Sequence, residues 1–142
     1  MGRPTTPGDG PPPGRGGAAG FTLIELITVV AIISILAAIA LPQYKVAIIQ
    51  SKEAVLKENL FRLRDLIDQY YVDKGKYPAS LEALVEEGYL RRLPEDPITR
   101  SADWVTVPAE QDADRPGEEP GIYDVKSAST EASLSGTPYG EW

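Results

Sequence analysis

Glu25 is the one charged side chain in the run from Phe21 to Leu41, FTLIELITVVAIISILAAIAL. A charge placed in such a segment costs roughly 2.5 to 3.5 kcal/mol on membrane-insertion scales and normally has a partner. A carboxylate there either snorkels to the membrane edge, is protonated in lipid, or meets a cation. Two unit charges 4 Å apart attract by about 4 kcal/mol at an effective dielectric of 20. That offsets the desolvation of both groups, whereas an unpaired carboxylate opposes burial.

Other chemistry lacks its parts. The chain has no histidine and no cysteine. The commonest general base, the commonest transition-metal ligand, thiol nucleophiles, disulfides and Cys-based zinc sites are therefore all excluded. Ser127, Ser129, Ser133 and Ser135 have no His or Cys with which to build a triad. No G-x-x-x-x-G-K-[ST] loop is present, so any energy for movement comes from a partner ATPase. The net charge is −7; loss of residues 1–20 removes Arg3, Arg15 and Asp9 and makes it −8. Such an acidic surface argues against nucleic acid as a partner, which needs concentrated Lys and Arg.

The elements that position Glu25 follow from periodicity. Twenty-one apolar-rich residues at 1.5 Å each span roughly 32 Å, the thickness of a hydrocarbon core. Residues 1–20, rich in Pro and Gly, cannot bury a core and are expected to be disordered. Beyond Pro42, residues Leu56, Leu60, Leu63, Ile67 and Tyr70 step by four and three and form one apolar stripe. Glu53 with Lys57, Glu58 with Arg62, and Arg64 with Asp68 are spaced as exposed i, i+4 pairs. The pattern predicts one helix from Phe21 to Lys74, bent near Pro42, which lacks an N–H and disfavours helix at Leu41. Gly75 is placed to close it. Ser80 caps a short helix, Leu81 to Glu87, ended by Gly88. Pro94 and Pro97 predict an extended connector, Trp104–Val107 and Ile122–Lys126 predict two strands, and the acidic segment 108–121 predicts a loop. The tail from Ser127 reads as loop, with Tyr139 and Trp142 available to pin it. The fold class is α+β, a long bent N-terminal helix with a small C-terminal antiparallel sheet of two or three strands. Its parts are residues 1–20, a membrane-spanning 21–41, and a head, 42–142.

Gly20 followed by Phe21-Thr22-Leu23-Ile24-Glu25-Leu26 resembles the processing site of type IV pilin-like proteins, and Pro42 stands where many members kink. The run Tyr77 to Thr99, YPASLEALVEEGYLRRLPEDPIT, is similar to the segment after the long helix in major pseudopilins of type II secretion systems. The resemblance implies cleavage by a prepilin peptidase between Gly20 and Phe21, N-methylation of Phe21, and pairing of Glu25 with the terminal amine of a neighbouring subunit. It implies a homo-oligomeric helical filament in which Glu25 sets subunit register. It further implies an inner-membrane assembly platform with a cytoplasmic ATPase, and residence in membrane lipid before assembly. The head would then lie in the periplasm of a bacterium, on a single-pass inner-membrane anchor, as a non-enzymatic part of protein export. Flanking charge does not set this orientation, since Arg3 and Arg15 on one side match Lys45 and Lys52 on the other. Major pseudopilins of this kind often bind calcium near the C-terminus, but the tail offers only Glu131 and Glu141, with Asp124 just before it. Calcium is therefore an open question, and no metal ligands are assigned. Many surface pilins close this region with a disulfide, which is impossible here.

Alternatives stay open at this point. A surface pilus subunit for adhesion or motility shares the N-terminal pattern. A monomeric membrane-anchored binding module would use loop 108–121 as its contact surface, and a tethered hydrolase would rest on carboxylates alone. Ala38-Ile39-Ala40 satisfies an A-x-A signal-peptide rule, which would make Leu41 the mature N-terminus.

Overall fold

The computed structural model describes residues 1–4, 7, 8, 10, 19–111, 113, 114 and 116–142. Most of the expected disordered leader, including Gly16-Gly17-Ala18, and Asp112 of the acidic loop lie outside the described residues. The chain divides into two compact units, Met1–Ala40 and Leu41–Trp142. Helix α1, Leu23–Lys74, contributes to both.

In the first unit α1 begins two residues later than periodicity predicts. Thr22 stays outside the helix and its Oγ1 accepts from the Glu25 N–H at 3.3 Å, while its carbonyl accepts from Leu26. That is an N-cap, and it supplies one of the backbone donors' missing acceptors. Farther along, the Thr28 hydroxyl donates to the Ile24 carbonyl and Ser34 to that of Val30, both at 2.7 Å. These polar side chains are satisfied within their own helix, as an apolar environment demands. Apolar side chains from Phe21 to Leu41 are exposed all round the helix.

In the second unit α1 is unbroken at Pro42 and runs to Lys74. The expected stripe is the core: Leu56, Leu60, Leu63, Ile67 and Tyr70 are the buried residues of the helix. Gly75 ends it at φ 70°, donating to the Tyr71 carbonyl at 2.8 Å, the left-handed closure that glycine takes without a Cβ penalty. Helix α2, Leu81–Glu86, is capped by the Ser80 hydroxyl and buries Leu81 and Leu84. Strands β1, Val105–Pro108, and β2, Ile122–Lys126, pair antiparallel as a two-stranded sheet, with Val105 opposite Lys126 and Thr106 opposite Val125. Ile122 and Val125 join the stripe, Trp104 and Tyr139 in one apolar cluster.

Two expectations are corrected. Strand β1 starts after Trp104 and includes Pro108, because the register shifts between Val107 and Pro108, and a strand end at such a shift tolerates the missing N–H. The segment around Pro94 and Pro97 is not an extended connector. Asp96 N–H donates to the Ser101 carbonyl and Arg100 N–H to the Asp96 carbonyl, both at 2.8 Å, which closes it into a loop with Arg100 at φ 58°. The tail is loop for most of its length, as expected, and Tyr139 is buried so as to pin it; Ser133 N–H donates to the Thr137 carbonyl at 2.8 Å, Ala132 bridges Pro138, and a 3-10 turn spans Tyr139–Glu141.

Candidate functional site

The first candidate is the start of α1. Gly20 and Phe21 lie outside regular structure and are exposed, Phe21 at 87 %. Nothing lies within 4 Å of where a Gly20 side chain would stand, so the chain there is uncrowded. Glu25 sits in the first turn of α1. A carboxylate there is favoured by the partial positive charge of the helix start, by roughly 0.3–1 kcal/mol. Its side chain is exposed and, among the described residues, no cationic side chain pairs with it. Leu23 and Ile24 beside it are each 74 % exposed. The arrangement is an acid on an exposed apolar surface. Thr22, which fixes the helix start that holds Glu25, escaped the periodicity reading; its signal was the T-x-x-E spacing of a capping box.

The second candidate is the tail. Of the three i, i+4 pairs expected on α1, Arg62–Glu58 forms at 3.2 Å, with both side chains well exposed. Arg64 and Glu53 turn to the tail instead. The Arg64 Nε donates to Asp124 Oδ1 at 2.6 Å, and its guanidinium also donates to the Val125 carbonyl at 3.0 Å and the main-chain oxygen of Trp142 at 2.6 Å. Glu53 Oε1 accepts from the Leu134 N–H at 2.8 Å and the Tyr139 hydroxyl at 2.9 Å. Lys57 places its Nζ 4.6 Å from the centre of the Trp142 ring, a cation–π contact. A tertiary partner that is half-buried wins over a solvated i, i+4 neighbour because its bonds are less well replaced by water.

The acidic side chains near this end bear on the calcium question. Six to eight oxygens are needed, yet no group of three acidic, His or Cys side chains stands close enough to hold a metal among the described residues. Asp124 is already engaged by Arg64. Asp96, fully buried, is enclosed by donors: Oδ1 accepts from the Ile98 and Thr99 N–H groups, and Oδ2 from the Ser127 hydroxyl. Sequence reasoning passed over Asp96, although an Asp-Pro step followed by Thr and Ser is a turn signal.

Burial and the Glu53 hydrogen bond push the Tyr139 hydroxyl up to about 12. The Tyr89 hydroxyl, which donates to Asp73 at 2.8 Å, is raised by that bond first and by burial second. Lys74 is raised by its hydrogen bond and ion pair with Glu87, 2.8 Å away.

Residues 15–41 match the prokaryotic N-terminal methylation motif. The chain is 38% identical over 95 residues to type II secretion system core protein G of Pseudomonas aeruginosa, covering 56% of this chain and 67% of that one. It is 33% identical over 135 residues to the protein of the same name from Escherichia coli, covering 81% and 83%. A likeness to fimbrial protein EcpC of Eikenella corrodens is higher, 47%, but spans only 60 residues, 42% of this chain and 39% of that one. No solved structure matches the chain.

Proposed function

This chain belongs to the type II secretion system core protein G family, and from that premise we propose how it works as a structural subunit of a secretion pseudopilus. The precursor is anchored in the membrane by the apolar part of α1, the one helix among the described residues long and apolar enough to cross. A prepilin peptidase cuts between Gly20 and Phe21, and the new Phe21 amine is methylated and remains cationic. Its N-terminal side faces the cytoplasm and residues 42–142 form the periplasmic head. An inner-membrane platform and its cytoplasmic ATPase then lift the subunit out of lipid into a filament. A head-to-tail interface that does not close on itself builds such a helix. Glu25 checks register, since a subunit docks when its carboxylate meets the amine of another copy. Pro42, one backbone hydrogen bond short, gives α1 a point at which to bend as it packs.

The observation that carries this reading is Glu25, an acid on an exposed apolar helix within a methylation motif, with no cationic side-chain partner among the described residues. The surface-pilus reading has less support, because the fimbrial likeness stops at 42% of the chain while the likeness to secretion core proteins extends over 81%. The family role is structural, and nucleophilic catalysis lacks both His and Cys. The mass of the N-terminal peptide from the membrane fraction tests processing. A methylated peptide starting at Phe21 is expected; a chain still carrying residues 1–20, or one starting at Leu41, overturns the reading.

A further inference from the structure

Three oxygens from separate places converge on one guanidinium. Asp124 supplies a carboxylate oxygen and Val125 a carbonyl from β2, while Trp142 supplies a main-chain oxygen from the far end of the tail. The donor, Arg64, is on α1, 60 residues from Asp124 and 78 from Trp142 in sequence. A carboxylate flanked by main-chain oxygens is the donor set that a hard divalent cation gathers. Here a planar side-chain cation occupies the middle of it. We propose that Arg64 is the resident cation of the C-terminal tail, so that this head folds and keeps its tail closed without calcium.

Charge and geometry both support the assignment. Arginine stays protonated throughout the pH range of proteins, and its rigid fork suits several oxygens at once. Arg64 and Asp124 are partly buried, with side chains 37% and 26% exposed. A divalent ion at Asp124 would have to displace the guanidinium and would then stand beside a displaced positive charge. The next candidate, Asp96, is closed off by its own three donors. Neighbouring contacts lock the same end of the chain: Lys57 lies over the Trp142 ring, which packs edge-on against Tyr139 at 5.1 Å. This inference concerns the head's own stability and does not rest on the export role.

The test uses the full chain in detergent, melted in calcium chloride and in excess EGTA. Coincident melting temperatures are expected; a melt raised by calcium overturns the proposal. Arg64→Gln keeps most of the side-chain length and removes the cation. It is expected to lower the melting temperature by about 5–15 °C and to speed tryptic cleavage after Lys126 at least about tenfold, as the tail opens. Arg64→Lys, a point charge without the fork, should fall between. An Arg64→Gln protein whose melt and cleavage match the parent overturns the proposal. If Arg64→Gln does not fold, the calcium and EGTA melts of the parent still decide the matter.

Discussion

Tyr139 carries the sharpest pH signature of any single residue in the head. Its ring is 2% exposed and its hydroxyl donates to Glu53, which also holds the Leu134 N–H. The hydroxyl of an unfolded tyrosine loses its proton near pH 10, whereas in the fold it is held up to about 12. The folded state therefore binds the proton more tightly, and stability from this group is fully present below pH 10 and lost between about 10 and 12. Tyr139→Phe keeps the ring in the core and removes the donor. It is expected to be less stable than the parent at pH 7 by about 1.5–3 kcal/mol, the range for a hydrogen bond to a charged group. The gap should close as pH rises toward 12, because the parent alone meets the cost of ionising Tyr139. Denaturant melts across that range check this, and a gap independent of pH would refute it.

At the scale of elements, α1 was legible because its stripe repeats every three and four residues, and those five residues are the ones it buries. The caps at Gly75 and Ser80 were legible for the same reason, since local backbone chemistry decides them. Partners distant in sequence were not. Arg64 looks like half of a surface pair with Asp68 until β2 and the tail are placed beside it, and the closed loop around Asp96 depends on Ser127, 31 residues away. Likewise, a count of acids in the tail cannot reveal that a guanidinium sits on Asp124. Gly121 is another long-range case. A Cβ there would stand 2.5 Å from the Tyr77 carbonyl oxygen and 2.6 Å from the Tyr77 Cβ, both fixed by backbone. The same approach lets Ile122 N–H donate to the Pro78 carbonyl and Ala109 N–H to that of Gly121, both at 2.8 Å. Gly121→Ala should push β2 off the Tyr77–Pro78 segment and cost about 1–3 kcal/mol. Gly140→Ala, whose Cβ would meet no atom closer than 3.4 Å, should cost less. Thermal melts of the two compare them directly, and equal stability would show that the segment yields freely.

For the whole molecule, two surfaces pull in opposite directions. Heads carrying most of a −8 charge repel one another, though salt screens this beyond about 8 Å at physiological ionic strength, while the exposed apolar stave from Phe21 to Leu41 seeks cover. Lipid covers it as well as another stave does, so apolar burial alone does not favour a filament over a membrane-bound monomer. Glu25 breaks the tie. On the proposed function it is unpaired and costly in lipid, whereas among copies it would meet a cation. Glu25→Leu therefore separates anchoring from assembly. Removing the carboxylate relieves roughly 2.5–3.5 kcal/mol of insertion cost, so the variant should enter membranes at least as well as the parent and still be cut after Gly20. Its amine then has no acid to meet in the filament core, and a charge left unpaired when buried costs about 3–5 kcal/mol, or more than a hundredfold in docking. Crosslinking between cysteines introduced along equivalent staves should show monomer in the membrane fraction and little ladder. Glu25→Gln, which keeps the shape and removes the charge, should fail nearly as badly. A filament held together simply by greasy contact requires the reverse, with Glu25→Leu assembling better than the parent, and that ladder would end the case for an acid that sets register.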